Sequence, residues 1–155
     1  MRNFLTLLIL SVLTFLTACQ QPPQEQRLTV EYYNSPVNAA RNVPYSEAVK
    51  VGQTLYLAGK LGMKDGKLAE GGIQGETKQA MENIQAVLSQ YGASMDDIVK
   101  VTVFLADMGE WGAMNEVYKT FFVDHFPARS AVGVDSLARG ARLEIECIAV
   151  LPQTK

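Results

Sequence analysis

From Ile73 onward, apolar positions recur at intervals of three and four: Ile73, Ala80, Met81, Ile84, Val87, Leu88 and Tyr91, with Thr77 on the same face. That period predicts an amphipathic helix, and Gly92 just beyond it fits a glycine C-cap. Before this segment the pattern is that of short strands, at residues 28–32, 48–51 and 54–58. Gly52-Gln53 between the last two runs predicts a tight hairpin, and Lys64-Asp65-Gly66-Lys67 is a second turn signal. After the helix, residues 98–105 form a β-rich run buried on most of both faces. Val99, Val101, Val103 and Leu105 share one face there, and Ile98, Lys100, Thr102 and Phe104 the other. Asp107 and Glu110 have capping-box spacing, with Asp in place of Ser or Thr. A second helix should follow with the stripe Trp111, Met114, Val117, Tyr118 and Phe121, ending before Pro127. The chain then returns through residues 130–134 to a long last strand over 141–151. In that strand Leu143, Ile145, Cys147 and Ala149 alternate with Glu144, Glu146, Ile148 and Val150.

Strands followed by a helix, repeated once, predict a two-layer α/β sandwich: a mixed sheet with two helices on one face. The opposite face would carry Phe104, Ile148 and Val150 beside Glu144, an apolar patch that calls for cover by another subunit. A site at such a seam would include Glu144.

The N-terminal pattern is different in kind. Arg2 precedes a thirteen-residue run from Phe4 to Leu16, apolar except for Thr6, Ser11 and Thr14. A helix of that length rises about 20 Å, short of a bilayer core, so the run is expected to be a signal h-region and not a span. It ends in Leu16-Thr17-Ala18-Cys19, which resembles a bacterial lipobox. The expectation is a signal peptide over 1–18, a lipidated Cys19 opening a Gln- and Pro-rich tether over 19–27, and one folded domain over 28–155. In the lipoprotein family an Asp after the cysteine would resemble an inner-membrane retention signal. Gln20 therefore suggests an outer-membrane anchor facing the periplasm.

Charge and chemistry narrow the picture. Removing Arg2 from the 14 basic residues leaves 13 against 16 acidic, a formal charge of −3 with no Lys or Arg block, so no nucleic-acid partner is expected. With Cys19 lipidated, Cys147 stands alone and no internal disulfide can form; its place among core positions marks it as a small buried hydrophobe. His125 is the only histidine, at a predicted helix end, and no zinc-ligand spacing occurs. The glycines from Gly59 to Gly75 lack the Gly-Lys-Ser/Thr ending of a phosphate loop and read as turns. Arg129, in Phe126-Pro127-Ala128-Arg129-Ser130, follows a proline turn at the start of a strand. Its guanidinium could grip a carboxylate bidentately, or form an internal ion pair with Glu144 or Asp135.

Pro44-Tyr45-Ser46, Leu57-Ala58-Gly59, Val101-Thr102-Val103-Phe104-Leu105, residues 115–122, the Pro-Ala-Arg-Ser segment and the final Ile-Glu-rich strand together resemble the RidA (YjgF/UK114) family of imine and enamine deaminases. The resemblance covers residues 30–151. It implies a chorismate-mutase-like α/β fold, a homotrimer with sites in clefts between subunits, and cofactor-independent hydrolysis of 2-imino acids. On it, Arg129 corresponds to the carboxylate-binding arginine and Glu144 to the water-orienting glutamate. Tyr45 corresponds to a pocket tyrosine, Asn115 to a second-helix asparagine, Gly59 to the glycine of the pocket turn, and the Ala131 carbonyl to a water-orienting acceptor. Two departures bear on substrate range: the family's Ser-Gly-Gln turn reads Ala58-Gly59-Lys60, and its frequent cysteine two positions after the arginine is Ala131. The competing expectation is a non-enzymatic trimer that binds small carboxylates. The endoribonuclease label also attached to the family does not suit an acidic chain without a basic aromatic track.

Overall fold

The computed structural model describes residues 27–152; the signal, Cys19 and nearly all of the tether lie outside the described residues. The elements, in chain order, are β1 (Val30–Tyr33), α1 (Pro36–Ala40), β2 (Ala48–Val51), β3 (Thr54–Leu61), β4 (Met63–Lys64), β5 (Lys67–Leu68), α2 (Gly72–Ser89), β6 (Ile98–Leu105), α3 (Trp111–Tyr118), β7 (Ala128–Gly133) and β8 (Leu143–Val150). Six strands form one sheet in the order β1-β2-β3-β8-β6-β7, with every neighbouring pair antiparallel except the parallel β6 and β7. The expected mixed sheet with helices on one face is present.

Local chemistry accounts for most of the boundaries. Gly52, at φ +59°, opens the two-residue β2–β3 hairpin, and Asp65 and Gly66, both at positive φ, close β4 onto β5. At the end of α2 the Gly92 N–H donates to Ser89 O and the Ala93 N–H to Leu88 O, the paired closure that a left-handed glycine permits. Ile84, Leu88 and Met81 of α2 pack with Leu55, Val101, Val103, Leu143 and Ile145 of the sheet. Each such side chain contributes about 1.5–3 kcal/mol by leaving water.

Three expectations need correction. Val99 was placed with the core face of β6, yet it is 47% exposed and Ile98 is buried. The register against β8 slips between Ile98 and Lys100, and an extra residue at that irregularity turns the side chains before it over. The Asp107–Glu110 capping box is not formed. Asp107 accepts from the Gly109 N–H in a short 3₁₀ turn, Met108–Glu110, and the Glu110 carboxylate pairs with Arg142. Trp111, expected in the apolar stripe of α3, is 44% exposed, while Met114 and Tyr118 carry the burial. One element was not anticipated: Ser35 caps α1 by accepting from the Asn38 N–H, with Pro36 at the first helical position.

Candidate active site

Glu144 and Arg129 stand on opposite faces of the sheet and line separate clefts. Antiparallel pairing sets Glu144 opposite Phe104, on the face away from the helices. Parallel pairing sets Arg129 beside Val101, whose side chain enters the core beneath the helices.

The first cleft, of about 1170 Å³, is bordered by the end of β3, by α1 and α2 and by Glu144 of β8, and includes Tyr45, Ala58, Gly59, Lys60 and Arg139. Its floor is set by a bulge. Leu57 faces Cys147 and Lys60 faces Ile145, so three steps along β3 match two along β8. Gly59 sits in the bulge against the Glu144 carboxylate. A Cβ on Gly59 would lie 1.9 Å from Glu144 Oε1, so no larger residue fits without displacing the acid. Burial raises the Glu144 pKa, and the neighbouring Glu146 charge adds to the effect. A carboxyl whose pKa is raised is a stronger base than an ordinary glutamate, the direction that suits proton transfer.

Beside it lies a polar cluster that sequence reading missed. Glu47, 7% exposed, accepts from Lys60 Nζ at 3.0 Å through Oε2, and from Asn38 Nδ2 at 2.6 Å and the Ser35 N–H at 3.1 Å through Oε1. Burial alone would raise its pKa, but the bonds from Ser35 and Lys60 outweigh that and hold it below the ordinary value. The cluster ties the start of β2 to α1 and β3, and so fixes both ends of the segment that carries Tyr45. Lys60, noted from sequence only as a departure, is thus a paired cation. Arg139 adopts φ +61° on the rim of the same cleft.

The second cleft, of about 330 Å³, is formed by Asn115, Tyr118, Lys119, Phe126, Pro127 and Arg129. The Arg129 guanidinium carbon lies 4.5 Å from the centre of the Tyr118 ring and 6.0 Å from that of Trp111. Stacking of this kind orients a guanidinium without neutralising it. Neither Glu144 nor Asp135 pairs with it, and among the described residues no carboxylate reaches within salt-bridge distance. The ion-pair alternative is therefore not realised. Ala131 follows two residues later on β7, the edge strand of the sheet. Of the other candidates, Cys147 is buried and its thiol is pushed up to about 12 by that burial, which keeps it protonated and unreactive. His125 is exposed.

The chain is thus a two-layer α+β protein with an unneutralised arginine in one cleft and a glutamate of raised pKa in another. The sequence profile described as Endoribonuclease L-PSP matches residues 36–151, and the chain belongs to this family, the RidA family. A mouse 2-iminobutanoate/2-iminopropanoate deaminase is 47% identical over 109 residues, covering 69% of this chain and 81% of the mouse protein. Among solved structures, yeast Mmf1 is 37% identical with a TM-score of 0.73, covering 80% of this chain and all of that one. Escherichia coli TdcF with bound serine is 35% identical with a TM-score of 0.67, covering 71% and 90%.

Proposed function

We propose that the chain hydrolyses 2-imino acids and their enamine tautomers to 2-keto acids and ammonia. The observation that carries this reading is the Glu144 carboxylate seated on Gly59 with a raised pKa, in a chain 43–48% identical to proteins named as 2-iminobutanoate/2-iminopropanoate deaminases. Arg129 holds the substrate carboxylate and so fixes the imine carbon. Glu144 and the Ala131 carbonyl orient a water, and Glu144 takes its proton as the oxygen adds to that carbon. That proton passes to nitrogen to give the carbinolamine; the new hydroxyl's proton then follows it to nitrogen, again by way of Glu144, and the C–N bond breaks so that ammonia leaves as the carbonyl forms. Tyr45 walls the pocket and Asn115 borders the arginine. Water supplies the oxygen and two hydrogens, no electron changes hands, and the reaction needs no cofactor.

One chain divides this machinery between two faces, so the active form in this reading is a homotrimer in which the Glu144 cleft of one subunit meets the Arg129 cleft of the next. The exposed Tyr56 and Val150, beside the half-buried Phe104 and Ile148, form the face that such an assembly would cover. The test is hydrolysis of imino acids generated in situ, beside calorimetric binding of a 2-keto acid and light scattering for assembly. A trimeric protein that binds the keto acid and hydrolyses no imine would be a carboxylate-binding protein instead.

Cys19 is the proposed lipid attachment point, on the strength of Leu16-Thr17-Ala18-Cys19 and the preceding apolar run. Among the described residues no helix is long and apolar enough to cross a membrane. Labelled palmitate should enter the wild type and not Cys19→Ser; equal membrane fractionation of both, without label, would refute the anchor.

A further inference from the structure

We propose that the Tyr118 hydroxyl is a second donor to the ligand carboxylate gripped by Arg129, so that a phenol and a guanidinium hold the acid together. The inference rests on Arg129 being the carboxylate clamp. Tyr118 ends α3, is 4% exposed and lines the Arg129 cleft. Its buried O–H finds no acceptor, and among the buried side-chain polar atoms of the described residues only Glu110 Oε2 is likewise left without a partner. A buried hydroxyl left without a partner is costly, and native proteins rarely keep one without a use for it.

The neighbouring group cannot meet the need. Arg129 lies over the Tyr118 ring, close enough for its charge and an N–H directed at the phenolic oxygen to act against the rise that burial imposes on the phenol's pKa. A guanidinium carries five donors and no acceptor, however, so it can never take the phenolic proton. The O–H therefore lacks an acceptor while the adjacent cation lacks an anion, and both residues line one cleft with Asn115. A single carboxylate meets both demands, because its two oxygens offer about four acceptor sites, enough for a guanidinium fork and one O–H. Burial pushes the phenol up to about 12, so it remains a donor at neutral pH.

Tyr118→Phe removes the oxygen and keeps the ring on which Arg129 stacks. A bond from a neutral donor to a charged group predicts a 2-oxobutanoate Kd about ten- to a hundredfold weaker, and a KM for the imino acid raised in proportion with kcat little changed. The melting temperature should hold or rise, because the variant loses an unsatisfied group. The neutral amide of 2-oxobutanoate should bind wild type and Y118F alike. Arg129-dependent binding of 2-oxobutanoate that is equally tight in Y118F overturns the proposal and leaves the deaminase reading intact. A Y118F that melts earlier with unchanged binding, or fails to assemble, makes the hydroxyl structural and also overturns it. A wild type that binds no keto acid removes both.

Discussion

The two clefts are built from opposite materials. Around Glu144 the backbone is irregular, a bulge brings Gly59 under a carboxylate, and a second carboxylate, Glu47, is neutralised by Lys60. Around Arg129 the strand is regular, Tyr118, Phe126 and Pro127 share the walls with Asn115 and Lys119, and the arginine is left unneutralised. One cleft holds a proton acceptor without a clamp, and the other a clamp without a proton acceptor. The proposed hydration of an imino acid needs both, so in that proposal the assembly, and not the single chain, is the unit of chemistry. Dilution offers a direct probe. If specific activity stays constant under conditions where light scattering reports monomers, the two clefts work independently and the joined site is wrong.

The largest effects should come from the Glu144 side. Gly59→Ala forces a methyl group into the carboxylate and should lower kcat by more than about 10²-fold, with keto-acid binding through Arg129 less affected. Glu144→Gln keeps the shape and removes the base, with a loss of the same order. The raised pKa of Glu144 fixes the sign of the pH dependence: the base is ionised only above that value, so the rate should fall toward acid with a midpoint higher than an ordinary glutamate's. Unchanged turnover in a trimeric E144Q would refute the mechanism.

On the Arg129 side, Arg129→Lys preserves charge but loses the planar fork and the stacking on Tyr118. Keto-acid binding should weaken about tenfold or more, by the worth of a charge-assisted bond, and KM should move further than kcat. Equal loss of both clefts' functions in either variant would erase the distinction between them.

What could be read from the sequence follows the same division. The Arg129 side rests on regular elements, and α2, the parallel β6–β7 return and the Pro-Ala-Arg-Ser segment are visible as periodicity and local motif. Even there, Tyr118 reads only as a member of the core stripe, because spacing reports that a side chain is buried and not whether its polar end finds a partner. The Glu144 side depends on register. The bulges at Ala58-Gly59 and near Val99 exist because β8 offers fewer residues than the strands beside it, a relation between distant segments that alternation within one strand cannot express. Glu47 escaped notice for the same reason: its partners lie 9, 12 and 13 residues away.

The smallest expected effect concerns that cluster, and it separates the clefts by pH and not by ligand. Glu47 has a depressed pKa in the folded chain, so its contribution to stability is present above the unfolded value, near 4.5, and is lost as pH falls through the folded one. Glu144, with a raised pKa, has the opposite sign: its contribution is present below the unfolded value and is lost as pH rises through the folded one. Neutralising Glu47 alone leaves Lys60 mostly buried and unpaired, whereas neutralising both removes the charges together. Glu47→Gln should therefore lower the melting temperature at pH 7 more than the double variant Glu47→Gln/Lys60→Gln does. Below pH 4.5 the wild type should lose its advantage over the double variant. Turnover at pH 7 in the double variant should fall only a few-fold, provided Asn38 and Ser35 still hold the segment that carries Tyr45. Melting curves for the wild type and both variants, recorded from pH 3 to 7, decide the matter. If wild type and double variant fall in parallel across that range, the Glu47–Lys60 pair contributes nothing to stability and the Glu144 cleft is held by its bulge alone.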